Sequence, residues 1–134
     1  MLIGCTMAPT TSKNEVVEPT IVKLGAILGL SGDIAAYGRS QKKGIDLAIK
    51  EINEGSYLGK GNELKVIVED SGDSTDGAAM AMTKLIQDNK VVGIIGPTLS
   101  SQAFAADPIA QEVGIPVLGI SNTCLLYTSP SPRD

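Results

Sequence analysis

The sequence predicts an α/β fold in which an open parallel sheet carries helices on both faces. Four short apolar runs, each about the length of a buried strand, alternate along the chain with three segments whose apolar residues recur at helical spacing. Strands that alternate with helices form parallel sheets, because each connection crosses back over a face of the sheet before the next strand begins. The predicted order of elements is therefore β-α-β-α-β-α-β.

The four strands are predicted from their apolar runs. The first lies in residues 20–30, where a nearly continuous apolar run suits a strand buried on both faces. The second extends from Leu64 to Asp70 and alternates apolar with charged residues. The third, Val91 to Ile95, is short and rich in β-branched residues, and the fourth covers Ile115 to Ile120.

The three helices are predicted from apolar stripes and from residues that start or stop a helix. The first ends near Gly55, which suits the left-handed conformation that often follows a helix. Residues 73–76 offer capping oxygens for the second helix, and Ser100 or Ser101 can cap the third. The stripes are Ile45, Ala48, Ile49 and Ile52; Ala78, Met82, Leu85 and Ile86; and Ala106, Ile109, Ala110 and Val113.

Composition excludes several classes of function. The chain has 134 residues, a net charge of −4 and only four aromatic residues, three Tyr and one Phe, which argues against a nucleic-acid surface. The absence of His excludes a histidine base, a serine-type triad and a histidine metal site. We therefore expect no catalytic residue, no metal and no cofactor.

The N-terminal residues resemble a bacterial lipobox. Residues 1–5 end in Leu-Ile-Gly-Cys, the pattern cut before the Cys that receives a lipid, and Cys5 is the predicted lipidation site. Residues 6–19 are polar and contain Thr, Ser and Pro, which is typical of a flexible tether. The alternative is a chance Cys in a frayed tail.

The C-terminal residues 124–134 are predicted to be foreign to the gene. They carry no helical or strand period, and Pro130 and Pro132 interrupt any element. The string resembles the translation of a transposase mosaic-end adapter used in sequencing libraries, and the alternative is a natural loop. The predicted folded domain is therefore 20–123.

Several motifs in this domain resemble one family. The resemblance lies in the spacing of five segments, namely Gly29–Gly38, Gly44–Asn53, Gly93–Pro97 with Ser100-Ser101, Gly114–Val117 and Ser121–Thr123. In this order they resemble the leucine/isoleucine/valine-type periplasmic binding proteins. The resemblance implies the type I periplasmic binding protein fold, two α/β lobes hinged around a ligand cleft, of which this chain is the first lobe without the second.

The resemblance also implies ligand-binding residues, which lie where an open parallel sheet places its ligands, beyond the carboxyl ends of the strands. Ser100, with Ser101 beside it, is expected to bind an amino-acid carboxylate at the start of the third helix. The backbone of Ser121 and the hydroxyl of Thr123 are expected to contact the carboxylate and the ammonium, and Tyr37 to close over the ligand side chain. The alternatives are a plain helix cap for Ser100, a polar turn for Ser121 and Thr123, and packing on the first helix for Tyr37.

The function that the resemblance implies is non-enzymatic. It is the extracytoplasmic capture of an amino acid, branched-chain-like, or of a related small solute, in the periplasm or at the cell surface. The implied partners are the permease subunits of an ABC importer and, through Cys5, the membrane surface. A sensory receptor domain with the same lobe remains an alternative.

An enzyme on a flavodoxin-like or Rossmann scaffold is a further alternative. No GxGxxG motif follows the first strand, which argues against it. Asp70 and Asp73 are candidates for a carboxylate site, but capping of the second helix accounts for Asp73 and solvation of a strand end accounts for Asp70.

Overall fold

The computed structural model describes residues 19–123. The predicted lipobox with Cys5, nearly all of the predicted tether and the predicted foreign segment 124–134 lie outside the described residues. The predicted order of elements is confirmed. The elements are β1 (Ile21–Leu28), α1 (Ala35–Glu54), β2 (Glu63–Asp70), α2 (Thr75–Gln87), β3 (Ile94–Ile95), α3 (Ser100–Glu112) and β4 (Val117–Leu118).

The four strands form one parallel sheet in the order β2-β1-β3-β4. β1 pairs with β2 along its whole length, from Ile21 opposite Glu63 to Leu28 opposite Asp70. The chain passes from β1 to β2 on one side and then returns across β1 to β3 on the other, so the direction of strand order reverses between β1 and β3. The carboxyl ends of these two strands therefore form the topological switch point of the sheet.

Helices cover both faces of the sheet, as predicted. Right-handed crossovers put α1 on one face and both α2 and α3 on the other. The packing agrees, because α2 contacts α3 and α1 contacts β1 and β2. The main core lies under α2 and α3, where Ile27, Met82 and Leu85 are fully buried and Ala106 and Ala110 bring α3 close. Within residues 19–123 no helix is both long and apolar enough to cross a membrane.

The predicted helical stripes are confirmed on α2 but only in part on α1 and α3. Ala78, Met82 and Leu85 are fully buried and Ile86 is partly buried. On α1 the prediction for Ala48 is wrong, because this residue is exposed while its neighbours in the stripe are partly buried. Val113 lies beyond the end of α3 and is exposed.

Several boundaries also differ from the prediction. β3 and β4 are two residues each, shorter than their apolar runs. Gly55 follows α1 with φ −77°, so the prediction of a left-handed glycine there is wrong, and Ser56 takes the positive φ of 52° instead. β1 is buried only in its second half, because Ile21 and Lys23 are exposed at its start.

Two glycines allow the chain to pack directly against the end of β1. A Cβ on Gly38 would lie 2.0 Å from the carbonyl oxygen of Gly29, so the first turn of α1 rests on the residue that follows β1. Gly96, with φ 102°, would bring a Cβ within 2.2 Å of the carbonyl oxygen of Ile27. Both contacts involve rigid backbone, so any larger side chain forces the backbone apart.

Gly38→Ala and Gly44→Ala are expected to change stability in opposite directions. Gly38→Ala should lower the free energy of unfolding by about 1–3 kcal/mol or more, the usual range for overpacking. Gly44 lies in the same helix, and a Cβ added there would meet no other atom within 4 Å. Its replacement by Ala should raise that free energy by about 0.5–1 kcal/mol, because Ala has the higher helix propensity. Urea unfolding followed by circular dichroism measures both, and equal effects would contradict the close packing at Gly38.

Candidate functional site

Four loops meet at the edge of the sheet where the strands end. They are residues 29–34 after β1, 71–74 after β2, 96–99 after β3 and 119–123 after β4. These are the loops in which an open parallel sheet binds its ligands, and those after β1 and β3 flank the switch point. The site is therefore built by the contacts that these loops make with one another.

Asp70, at the end of β2, organises the loop after β1. Its Oδ1 accepts hydrogen bonds from the backbone N–H groups of Leu30 (2.8 Å), Ser31 (3.3 Å) and Gly72 (2.8 Å). Burial by itself raises the pKa of this carboxyl, but the hydrogen bonds from Gly72, Ser31 and Leu30 outweigh it and the pKa is lowered below 3.8. Asp70 is exposed at the end of β2, as a solvated strand end is expected to be, and in addition it holds the loop after β1 through these hydrogen bonds.

Asp73, in the loop after β2, also accepts hydrogen bonds from the loop after β1. Its two carboxylate oxygens accept from the N–H groups of Asp33 (2.8 Å) and Ile34 (3.3 Å), and Ile34 is the residue that caps α1. α2 is capped by Ser74, whose Oγ accepts from Gly77 at 2.9 Å. The prediction that Asp73 caps the second helix is therefore wrong, because it serves the start of the first.

Ser100 links the loops after β3 and β4. The residue that caps α3 is Leu99, so the prediction of Ser100 or Ser101 as the cap is wrong and Ser100 is the first residue of the helix. Its Oγ accepts from the backbone N–H of Thr123 at 3.2 Å. The first N–H groups of α3 have no acceptor within the helix, so they give this edge a set of donors and the positive end of a helix dipole.

Ser121 is held by two residues that the sequence did not indicate. Its hydroxyl donates to the carbonyl oxygen of Thr98 and accepts from Nε2 of Gln41 at 3.1 Å. Thr98 is buried, donates to Oε1 of Gln41 at 2.9 Å and accepts from the N–H of Gly29 at 3.1 Å. One signal was available: Gln41 follows Gly38 by three residues, which puts both on the same face of α1.

The remaining predicted residues lie at the same edge without partners of this kind. Tyr37 is in the first turn of α1 and 68% exposed, so its ring stands in solvent rather than packed on the helix. Ser101 is exposed beside Ser100. The structure thus brings Ser100, Ser121 and Thr123 together and leaves Tyr37 and Ser101 at the margin. Among the described residues no group of three or more Cys, Asp or Glu side chains is placed to hold a metal ion.

Comparison with known proteins gives the family. A model of the periplasmic binding protein family matches residues 21–133. The chain belongs to the periplasmic binding protein family. The family is one of solute-binding proteins rather than enzymes, and its name implies a location outside the cytoplasm.

Three relatives illustrate the match. The chain is 34% identical over 103 residues to the Leu/Ile/Val-binding protein BraC3 of Rhizobium johnstonii, covering 70% of this chain and 25% of that protein. It superposes with a TM-score of 0.73 and 34% identity on the branched-chain amino acid transporter substrate-binding protein LivJ of Streptococcus pneumoniae in complex with isoleucine, over 78% of this chain and 30% of that one. It is 31% identical over 106 residues to glutamate receptor 3.4 of Arabidopsis thaliana, covering 79% of this chain and 11% of the receptor.

These periplasmic binding proteins are much longer than the chain. It spans about a quarter of the length of BraC3 and 30% of LivJ. The resemblance read from the motifs is confirmed, and so is the fold class, since the solved relatives share the open parallel sheet.

Asp70→Asn is expected to reduce the loss of stability in acid. Because the pKa of Asp70 is lowered in the folded state, its contribution is present above pH 3.8, its ordinary value, and is lost as the pH falls through the folded-state pKa. Asn keeps an acceptor oxygen but does not titrate. Urea unfolding of the wild type and the variant from pH 5 down to pH 2 measures the difference, with the exposed Asp33→Asn of the neighbouring loop as control. If the free energy of unfolding falls equally in acid for the wild type and Asp70→Asn, Asp70 does not contribute the predicted pH dependence.

Ser100→Ala is expected to release the backbone N–H of Thr123. The variant removes the acceptor, and a net hydrogen bond of about 1 kcal/mol corresponds to about fivefold faster amide exchange at Thr123. Ser101→Ala, one residue along the same helix, should leave that rate unchanged. Hydrogen exchange followed by NMR checks both variants, and equal rates in all three proteins would show that Ser100 does not hold the loop after β4.

Proposed function

We propose that this chain supplies one lobe of an extracytoplasmic solute-binding protein that captures an amino acid, or a solute with a similar head group, for an ABC importer. The observation that carries the proposal is the convergence at the switch point of the free N–H groups of α3, the hydroxyl of Ser100 and the loop that contains Ser121 and Thr123. Together these provide hydrogen-bond donors and acceptors within one small region. A zwitterionic head group requires both.

The carboxylate of the ligand is proposed to bind at the N-terminus of α3. Helix N-termini favour anions, because their N–H groups are unpaired and the helix dipole is positive there. The hydroxyl of Ser100 and the backbone N–H of Ser121 are the proposed additional donors. The hydroxyl of Thr123 is proposed to bridge the carboxylate and the ammonium, since a hydroxyl both donates and accepts.

The rest of the ligand is proposed to be apolar and branched. This rests on relatives, because BraC3 is named for leucine, isoleucine and valine and LivJ was solved with isoleucine. Tyr37 and Ser101 lie at the margin of the site, and the exposed ring of Tyr37 is proposed to cover the ligand side chain when the cleft closes. The ligand would favour the closed state through contacts made in both lobes.

The partners of the whole protein belong to the same proposal. The closed form is proposed to dock on the permease subunits of an ABC importer, and Cys5 is proposed to carry a lipid that holds the protein at the membrane surface. Residues 6–19 would be the tether between them.

A receptor domain is the second candidate. The identity of 31% over 106 residues with glutamate receptor 3.4 supports this candidate, because a protein named as a receptor contains a similar segment. The sequence of the gene beyond this lobe separates the two, because a receptor continues into membrane-spanning helices and an anchored binding protein does not.

L-Leucine is expected to bind the 134-residue chain only weakly. If the two lobes contribute about equally, a micromolar site near −8 kcal/mol is reduced to about −4 kcal/mol, which is a Kd of about 1 mM. NMR titration should therefore shift the amide signals of residues 100–102 and 121–123 at millimolar leucine. Isothermal calorimetry with micromolar affinity would contradict the role of a second lobe, and no shift at any concentration would contradict the proposed site.

A further inference from the structure

We propose that Gln41 is a positioning residue that fixes the loop after β4 and the hydrogen-bonding direction of the Ser121 hydroxyl, and thereby favours a ligand that carries an ammonium group. The proposal rests on the function proposed above. Gln41 lies on α1, outside the loops that a ligand would contact, so it acts through Ser121 and Thr98.

The first step is the closed ring of hydrogen bonds through these three residues. Thr98 Oγ1 donates to Gln41 Oε1 at 2.9 Å, Gln41 Nε2 donates to Ser121 Oγ at 3.1 Å, and Ser121 Oγ donates to the carbonyl oxygen of Thr98. The N–H of Gly29, which is outside the ring, donates to Thr98 Oγ1 at 3.1 Å. All of these donors point in the same sense around the ring, an arrangement in which hydrogen bonds strengthen one another.

The second step is the consequence for Ser121. A hydroxyl has one donor hydrogen and two acceptor positions. The hydrogen of Ser121 is used by Thr98 and one acceptor position is used by Gln41. One acceptor position of the Ser121 hydroxyl therefore remains for a ligand. An ammonium can donate to it, whereas a carboxylate cannot, because a carboxylate only accepts hydrogen bonds.

The third step is the placement of Gln41 itself. The close approach of Gly38 to the carbonyl oxygen of Gly29 brings the first turns of α1 against the end of β1. Gln41 is one turn further along the same face, half-buried, and 57 residues from Thr98 in sequence. It therefore joins the loops after β3 and β4, and Thr98 in turn joins the loop after β1 through Gly29. No other side chain of the described residues contacts both Thr98 and Ser121 through hydrogen bonds.

The test compares variants of the 134-residue chain in NMR titrations with two probes. L-Leucine carries both charged groups, and 4-methylpentanoate is leucine without its ammonium. Gln41→Met and Thr98→Val each break the ring of hydrogen bonds with little change in side-chain size. Thr98→Ser retains the hydroxyl, and Gln111→Met is the control, because Gln111 is an exposed glutamine on α3. The double variant Gln41→Met/Thr98→Val completes a double-mutant cycle.

The expected loss of affinity is selective for leucine, and the effects of Gln41 and Thr98 on it are coupled. Gln41→Met and Thr98→Val should each weaken leucine binding about three- to tenfold, the range for one or two net hydrogen bonds, and weaken 4-methylpentanoate less than about twofold. The double variant should be no weaker than the weaker single variant, because both break one ring. Thr98→Ser and Gln111→Met should bind both probes as the wild type does.

Each other outcome overturns one of the two proposals. Equal weakening of both probes would show that Gln41 does not favour a ligand with an ammonium. Additive losses in the double variant would show that Gln41 and Thr98 do not act through one ring of hydrogen bonds. If no probe shifts any signal of the wild type, the proposed function fails. The ring is then judged by the amide signals of Ser121 and Thr123 in the ligand-free proteins. Shifts in Gln41→Met and Thr98→Val with none in Thr98→Ser support the positioning role, and unshifted signals in Gln41→Met refute it.

Discussion

The backbone N–H groups beyond the strand ends that find no partner in the sheet donate to side chains, and the edge of the sheet depends on these bonds. Asp70 and Asp73 accept from the loop after β1, Thr98 accepts from Gly29, and Ser100 accepts from Thr123. Each of these bonds joins two different segments of the edge: Asp70 ends β2, Asp73 and Thr98 lie in loops, and Ser100 begins α3. These bonds hold the four loops against one another, and the bond from Gly29 to Thr98 is buried, where an unpaired N–H would cost about 1–3 kcal/mol. The hydrogen bonds that connect these loops therefore also set the geometry of the candidate site.

The sheet and its helices were predictable, because they rest on local periodicity. The stripe of Ala78, Met82 and Leu85 identified α2 correctly, and the apolar run of β1 identified the central strand. Ala48 was misassigned because it has the right spacing, but α1 packs on the sheet along a narrower face than a full stripe requires. The ends of β3 and β4 were misplaced for a related reason: an apolar run marks burial, while a strand needs a paired neighbour.

The contacts within the site were not predictable, because they join residues distant in the chain. Asp73 serves a helix start about 40 residues earlier, and Thr98 meets Gln41 across 57 residues. A capping pattern is a local signal, so it assigned Asp73 to the nearest helix and Ser100 to its own helix, wrongly in both cases. The resemblance to a family selected Ser100, Ser121 and Thr123, which the structure places at one edge, because it compares whole spacings, but it gave no reason to select Gln41 or Thr98.

The distribution of charge at this edge bears on the proposal that a second lobe completes the site. Oδ1 of Asp70 and both carboxylate oxygens of Asp73 accept backbone N–H groups, so these oxygens are already engaged within the lobe. On the function proposed above, the lobe would offer the ammonium the hydroxyl oxygens of Ser121 and Thr123 and would offer the carboxylate the N-terminus of α3. A hydrogen bond from an ammonium to an uncharged hydroxyl lacks the Coulomb attraction between the opposite charges of an ion pair. A zwitterionic ligand bound in this way would keep a positive charge without an anionic partner, and a carboxylate on the proposed second lobe would be attracted to it. That attraction exists only when the cleft is closed, which is the differential affinity that ligand-driven closure requires.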